Sequence, residues 1–217
     1  MPLADPGSYL LPLSAELKKP WPNNRTVNIV VHGHSVPAGY FKTPDVRTFD
    51  AYPHLMHKRL KTRFPLSVLN VIVTAIGGES SDSGAARFER DVLSLRPDLV
   101  TIDYSLNDRR LGLEKAARAW SQMIEQSKAK NIPVILLTPT GDTSSRWMDP
   151  ADPLWQHAAQ VRQLAEKHSV GLADSTATFE RYVLGGGRLT DLMSQVNHPN
   201  RLGHDLVTGE LMRWFPD

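Results

Sequence analysis

The chain of 217 residues contains no cysteine. This excludes disulfide bonds, thiol catalysis, thiolate zinc sites and iron–sulfur clusters. The sequence also lacks any apolar run close to the roughly 20 residues that a membrane-spanning helix needs. Neither sign of charge dominates, because 25 Lys and Arg residues stand against 23 Asp and Glu residues, and no basic stripe indicates nucleic-acid binding. We therefore expect neither a membrane nor a nucleic acid as partner.

The amino-terminal segment lacks the features of a signal peptide. Residues 1–17 have no basic start and no continuous apolar stretch, and prolines interrupt them at positions 2, 6 and 12. We therefore expect a cytoplasmic protein, or a secreted one if a leader precedes this sequence. The proline-rich residues 1–24 are expected to cover the surface of a single domain formed by residues 1–217, an ordinary domain size. Composition leaves the oligomeric state open.

Short apolar runs alternate with longer amphipathic ones along the rest of the chain. The short runs, rich in β-branched residues, predict strands over residues 26–31, 67–74, 98–103, 133–138 and 170–174. The amphipathic runs predict helices over residues 52–64, 83–95, 114–130, 153–168 and 201–214. Such alternation indicates a parallel sheet covered on both faces. We predict a three-layer α/β/α sandwich with a flavodoxin-like, five-stranded parallel sheet.

Small and polar residues follow four of the predicted strands and precede the last helix. They occupy residues 32–35, 75–81, 105–108, 139–142 and 197–200. In an open parallel sheet, ligands bind beside the carboxyl ends of the strands. The sequence therefore places a functional site at that edge.

The order of four residues in these segments carries more information than any of them alone. Ser35 follows the first strand, Gly78 the second and Asn107 the third, while His198 precedes the last helix. From about residue 27 to residue 214 this order resembles the SGNH hydrolases, also called the GDSL esterase/lipase family. That family has its serine in a Gly-Asp-Ser block, its asparagine in Gly-x-Asn-Asp and its histidine in Asp-x-x-His. The resemblance implies a serine esterase in which these four residues are catalytic.

Three positions depart from the family's pattern. His34 stands where the family has the aspartate before its serine, and Ser105 stands where it has the glycine two residues before its asparagine. Gln195 lies three residues before His198, where the family has an aspartate.

The four matched residues suit ester hydrolysis. Ser35 would attack the acyl carbon, and His198 would remove the serine proton and later protonate the leaving alcohol. The backbone N–H groups of Ser35 and Gly78 and the side-chain amide of Asn107 would stabilise the oxyanion. This chemistry requires no metal and no organic cofactor.

The group that supports the far nitrogen of the histidine stays open at this point. A catalytic histidine needs an acceptor there to fix its tautomer. The candidates are Gln195, Asp191, Asp205 and a backbone carbonyl.

The substrate is expected to be a small-molecule or carbohydrate ester. The polar segment 140–153 suits a polar leaving group, and no helical lid or long apolar stretch favours long acyl chains. We therefore expect hydrolysis of short-chain esters, acetyl esters in particular, on a sugar. Trp147 lies within the polar segment and Trp155 follows it. They either stack on a sugar ring or fix the loop to the body. Trp120 lies at helical spacing and is interpreted as a core residue.

Two other functions are compatible with the residues. His32 and His34 form a His-x-His pair that could bind a metal in a metal-dependent hydrolase. His34 and Gln195 replace carboxylates of the family, which also fits a non-catalytic carbohydrate-binding module on an esterase scaffold. His54 and His57 are interpreted as isolated surface residues.

Overall fold

A parallel five-stranded sheet forms the centre of the protein, whose computed structural model describes residues 3–216. Its strands are β1 (Thr26–Gly33), β2 (Val68–Val73), β3 (Leu99–Asp103), β4 (Val134–Leu137) and β5 (Gly171–Ala173). They lie in the order β2-β1-β3-β4-β5, and every pairing is parallel. This is the flavodoxin-like order. It confirms the predicted fold class.

Helices cover both faces of the sheet. On one face lie α1 (Leu11–Leu17), α3 (Tyr52–Arg63), α9 (Ser175–Leu184) and α10 (Arg201–Met212). On the other lie α4 (Ser81–Ala86), α5 (Phe88–Asp91), α7 (Leu113–Ala129) and α8 (Pro153–His168). Two one-turn helices, α2 (Ser35–Ala38) and α6 (Ser105–Asp108), follow β1 and β3 directly. A short antiparallel hairpin, β6 (Met193–Gln195) and β7 (His198–Pro199), precedes α10.

Two apolar clusters, one on each face, hold the three layers together. Alternate residues of β1 contribute to opposite clusters, Ile29 and Val31 to one and Val30 to the other, as the pleat of a strand requires. All three side chains are fully buried. Trp120 on α7 is also buried, which confirms its interpretation as a core residue.

The continuous helix predicted over residues 83–95 is wrong. The chain instead forms α4, α5 and a 3-10 turn over Leu93–Leu95. Arg87, between α4 and α5, has φ −105° and ψ 3°, outside the helical region. Its guanidinium reaches back to the carbonyl of Thr74, at 2.7 Å, and to the carboxylate of Glu79. Helical periodicity in the sequence cannot reveal these tertiary contacts.

The segment 1–24 is more than the expected surface covering. It contains α1, and the side chains of Leu13 and Leu17 on this helix and of Leu10 just before it are buried in the core. The Tyr9 hydroxyl also binds both backbone groups of Val134, accepting from its N–H at 3.0 Å and donating to its carbonyl at 3.3 Å. Helix α9 and the β6–β7 hairpin were likewise not predicted. No helix within residues 3–216 combines the length and the apolar character needed to cross a bilayer.

Candidate active site

Ser35 is the first residue of α2 and follows the carboxyl end of β1, an inner strand of the sheet. The strand ends in Gly33, where a Cβ would come within 2.5 Å of the Asp103 carbonyl, so only glycine lets β1 and β3 lie this close here. Gly39 ends α2 with φ +91°, a left-handed conformation that suits glycine. Ser35 is therefore held on a short, sharp turn between strand and helix.

His198 lies within hydrogen-bonding distance of this serine. Its Nε2 is 3.0 Å from Ser35 Oγ, across 163 positions of sequence. The β6–β7 hairpin holds the ring in place, since His198 pairs with Gln195 across it. Burial lowers the pKa of His198, while the hydrogen bond to the Phe41 carbonyl partly opposes that shift. The ring is therefore neutral near pH 7, as a general base must be.

Two groups contact the far nitrogen of His198. The Phe41 carbonyl lies 2.9 Å from Nδ1, and the amide nitrogen of Gln195 lies 2.7 Å from it. The amide oxygen of Gln195 accepts from the backbone N–H of Thr43 at 3.0 Å, which turns the NH₂ group toward the ring. If Nε2 is to accept the Ser35 proton, Nδ1 must carry the hydrogen and donate it to Phe41. In that tautomer the Phe41 carbonyl accepts the Nδ1 hydrogen, whereas the NH₂ group of Gln195 places a second donor opposite it.

The two other candidate supporters are engaged elsewhere. Asp191 accepts from the backbone N–H of Arg188 at 2.9 Å and pairs with its guanidinium. Asp205 lies 3.2 Å from Arg59 and 3.5 Å from Arg201. No sequence signal could have identified Phe41, because any residue type supplies a backbone carbonyl.

The two remaining matched residues lie on neighbouring segments that are hydrogen-bonded to each other. Gly78 follows β2 with φ +78°, a conformation that L side chains rarely adopt. Asn107 lies on α6, after β3, and donates one of its two amide hydrogens to the carbonyl of Glu79 at 2.9 Å. The second amide hydrogen remains available for an oxyanion.

A buried polar cluster stabilises the loop that carries Gly78. The Glu79 carboxylate accepts from Arg87 Nε at 2.8 Å and from the Tyr104 hydroxyl at 2.8 Å. Tyr104 also lies 3.0 Å from Nε2 of His32. Burial lowers the pKa of His32 to about 4, so this ring is neutral and belongs to the cluster. Sequence reasoning did not identify Glu79 or Arg87.

The His-x-His pair does not converge on one point. His32 contacts Thr74, Gly84 and Tyr104, whereas Nε2 of His34 lies 3.3 Å from Asp103 Oδ1. Between residues 3 and 216 there is no group of three or more His, Asp or Glu side chains arranged to hold a metal ion.

Asp108, next to Asn107, has a structural role. Its carboxylate accepts from the backbone N–H of Ser81 at 2.8 Å and from Trp120 Nε1 at 2.7 Å. Burial raises its pKa, and these hydrogen bonds oppose the shift. Asp108 thereby joins α6 to α4 and α7 and keeps Asn107 at the sheet edge.

A family model decides the classification. The model of the GDSL-like Lipase/Acylhydrolase family matches residues 31–206, most of the chain. The chain belongs to this family. It is a carboxylic ester hydrolase, and the resemblance seen in the sequence is confirmed. Comparison with curated protein sequences gives no significant match.

Solved structures of other hydrolases share the fold. Axe2, an acetylxylan esterase from Geobacillus stearothermophilus, superposes with a TM-score of 0.76 at 21% identity, over 88% of this chain and 94% of Axe2. LAE5, an α/β hydrolase from the metagenome of Lake Arreo, Spain, gives 0.75 at 22% identity, over 87% and 94%. Further matches are catalytic mutants of Axe2 in which a serine, a histidine and an aspartate three residues before that histidine are changed to alanine.

A cleft of about 300 Å³ lies beside Asn107 of this GDSL-family protein. Hydrogen-bond donors dominate its lining, which includes Asn107, Arg109, Arg110, Ser144, Ser145 and Asn197. Arg109 is fixed there by Asp142 at 2.6 Å.

Aromatic side chains of the site differ in their surroundings. Trp147 and Trp155 pack edge to face with ring centroids 5.4 Å apart, and Trp147 also packs on the core. This arrangement favours the interpretation that they fix the loop. Tyr40 is partly exposed, and its ring lies against Gly77 and 6.0 Å from the His198 ring.

Proposed function

We propose that this protein is a serine esterase that removes acetyl groups from carbohydrates through an acyl-enzyme intermediate. The observation that carries the proposal is the 3.0 Å contact between Ser35 Oγ and Nε2 of the buried His198. The backbone carbonyl at Nδ1 supports the tautomer that general-base catalysis needs. Asn107 and the Gly78 loop, joined by a hydrogen bond, supply donors at the same sheet edge.

The reaction consists of acylation and deacylation of Ser35, and both steps use the same catalytic groups. Ser35 attacks the acyl carbon as its proton moves to His198 Nε2, and the oxyanion receives hydrogen bonds from the N–H groups of Ser35 and Gly78 and from Asn107. The imidazolium then protonates the leaving alcohol, which departs and leaves an acyl-serine. Water attacks this ester while His198 accepts its proton, and return of that proton to Ser35 Oγ releases the acid.

The surroundings of the dyad favour a small acyl group and a polar alcohol. The Tyr40 ring borders the site beside His198, where it limits the space for a long acyl chain. The donor-lined cleft next to Asn107 can bind the hydroxyl groups of a sugar. The description of Axe2 as an acetylxylan and acetyl-xylooligosaccharide esterase supports this substrate class.

The first experiment compares hydrolysis of p-nitrophenyl acetate by the parent, Ser35→Ala and Ser127→Ala, each with and without a chelator. Ser127 is a buried serine on α7 and controls for the loss of a buried hydroxyl. We expect Ser35→Ala to lose at least about 10³-fold in kcat, and Ser127→Ala to remain active. Full activity in Ser35→Ala would refute the serine mechanism. Loss of activity in the chelator would point to the His32 and His34 metal alternative.

A second experiment tests the alcohol. Acetate release is measured from acetylated xylo-oligosaccharides and from a simple alkyl acetate at matched acetyl concentration. We expect higher kcat/KM on the oligosaccharide. A preference for the alkyl acetate would refute the carbohydrate assignment and leave the esterase intact, whereas binding of the glycan without turnover would indicate a binding module.

A further inference from the structure

A second imidazole lies against the nucleophile, and the ester-hydrolysis scheme does not use it. His34 directly precedes Ser35 and is 1% exposed. Its Nδ1 accepts from the backbone N–H of Val36 at 3.2 Å and lies 3.4 Å from Ser35 Oγ. Its Nε2 lies 3.3 Å from Asp103 Oδ1 at the end of β3.

These contacts fix the tautomer of His34. The Val36 N–H is a donor, so Nδ1 must present its lone pair and Nε2 must carry the hydrogen. Asp103 accepts that hydrogen through one oxygen, while its other oxygen accepts from the hydroxyl of Tyr52 at 3.2 Å. Burial raises the pKa of Tyr52 well above its ordinary value, so this hydroxyl remains a donor. Both oxygens of the buried carboxylate are thus occupied in a way that permits only one tautomer.

The distances decide between two roles for His34. At 3.4 Å, Nδ1 is too far from Ser35 Oγ to compete with His198 at 3.0 Å for the serine proton. The contact with Val36 instead caps α2, in the position where aspartate, asparagine or serine caps most helices. Imidazole Nδ1 stands two bonds from Cβ, as a carboxylate oxygen of aspartate does. The ring therefore caps the turn without a negative charge beside the nucleophile.

We propose that His34 is a positioning residue for Ser35, and that Asp103 and Tyr52 hold it in the Nε2–H tautomer that this role requires. The inference rests on the proposed role of Ser35 as nucleophile. His34 holds the first turn of α2, and hence the direction of Ser35 Oγ toward His198, through the Val36 N–H. When Nδ1 carries a hydrogen, it cannot accept from the Val36 N–H, so the first turn of α2 loses its cap.

The direct test reads the tautomer in the intact protein. A long-range ¹H–¹⁵N spectrum of histidine-labelled protein distinguishes the two tautomers, and the spectrum of His34→Asn assigns the His34 signals. We expect the Nε2–H form at pH 7. The Nδ1–H form or a charged ring would overturn the proposal, whatever happens to the variants.

The functional test compares three variants by the rate of the p-nitrophenol burst, which reports acylation. His34→Leu removes the cap, and we expect a loss of about 10²-fold with KM changed little, as for a misplaced catalytic group. His34→Asn restores an acceptor for Val36 and should recover to within roughly tenfold of the parent. Asp103→Leu alone should slow the burst. Combined with His34→Asn, it should slow the burst little beyond the effect of His34→Asn itself.

The results of these experiments distinguish failure of the His34 proposal from failure of the proposed serine esterase function. Equal losses in His34→Leu and His34→Asn, in proportion to lost stability, would show a merely structural role and refute the positioning. Full activity in Ser35→Ala would refute the serine mechanism itself and needs no result from His34.

Discussion

At the scale of single residues, the support of His198 sets this site apart. A carbonyl at Nδ1 fixes the tautomer but contributes no full charge to stabilise the imidazolium that forms during catalysis. The amide of Gln195 adds nothing in that state, because its NH₂ group faces Nδ1 at 2.7 Å while its oxygen is bound to Thr43. The Gln195 side chain is therefore long enough to reach Nδ1 but lacks the negative charge that would stabilise an imidazolium.

Gln195→Glu should increase activity. A glutamate of the same length would place one oxygen at Nδ1 of His198 and the other at the N–H of Thr43, so both contacts become favourable. We expect kcat/KM on p-nitrophenyl acetate to rise roughly tenfold at pH 8, a small part of the ~10⁴ that a triad carboxylate supplies elsewhere. Gln195→Met keeps the length without charge and should show no gain. A glutamate variant no better than the methionine variant would contradict this prediction.

The pH dependence follows from the pKa of His198. Burial holds that pKa below its ordinary value of 6.5, and only the neutral ring accepts the Ser35 proton. In the parent, kcat/KM should therefore stay level from pH 8 to about 7 and fall only as the pH passes below 6.5. In Gln195→Glu the added carboxylate raises the pKa, so the fall should begin at a higher pH. Profiles of kcat/KM against pH measure both, and an acid limb above pH 7 in the parent would be inconsistent with the buried ring.

Tyr40 is expected to limit the acyl chain. Its ring lies against Gly77 and beside His198, so Tyr40→Ala opens space next to the reacting carbon. The ratio of kcat/KM for p-nitrophenyl octanoate to that for the acetate should rise about tenfold or more, as added methylenes find contacts. Phe49→Ala removes an aromatic ring that is 81% exposed and should leave the ratio unchanged. An unchanged ratio in Tyr40→Ala would place the acyl group elsewhere.

At the scale of elements, the site depends on the loop between β2 and α4. This loop carries Gly78, and the buried carboxylate of Glu79 joins it to Arg87 and to Tyr104 at the end of β3. The same Arg87 interrupts the helix that the sequence predicts over residues 83–95. The break in the helix therefore lies at Arg87, whose contacts also hold the loop that carries Gly78 in place.

Arg87→Met should lower both stability and turnover. It leaves the Glu79 carboxylate buried without its cation, which typically costs about 3–5 kcal/mol. We expect a loss of that order in the free energy of unfolding measured with urea, and a lower kcat because the Gly78 loop loses an anchor. Arg90→Met, at a position in α5 that is 78% exposed, should change stability by no more than about 0.5 kcal/mol. Equal effects of the two substitutions would show that the buried cluster contributes nothing.

At the scale of the whole molecule, the candidate active site and the amino-terminal helix lie at opposite edges of the sheet. The site stands at the carboxyl ends of β1, β2 and β3, whereas Tyr9 beside α1 binds Val134 at the start of β4. A substitution in α1 should therefore change stability without changing the chemistry.

Leu17→Ala tests this separation. Leu17 is fully buried, and truncation of such a side chain typically costs 2–5 kcal/mol. We expect a loss of about 3 kcal/mol in the free energy of unfolding, with kcat/KM unchanged at temperatures where the variant is folded. Leu11→Ala, at a position 48% exposed, serves as the control and should change neither. A fall in kcat/KM without a loss of stability would show coupling between the two edges.

The sequence alone predicts the five-stranded parallel sheet, which the structure confirms, and it proposes four site residues. Short apolar runs locate the strands, because parallel strands buried on both faces are continuously apolar. The edge of the sheet that carries the site follows from the order of the strands. Ser35, Gly78, Asn107 and His198 are visible because each follows a strand or precedes a helix in a fixed order.

Only the folded structure shows which groups surround those residues. The Phe41 carbonyl, the Glu79–Arg87 pair and the Asp103 carboxylate under His34 all act across distances of sequence that no local pattern records. A backbone carbonyl carries no residue identity, and a buried ion pair becomes meaningful only when the fold removes it from water. The fold and the family could therefore be inferred from the sequence, whereas the hydrogen bonds around the candidate site depend on packing.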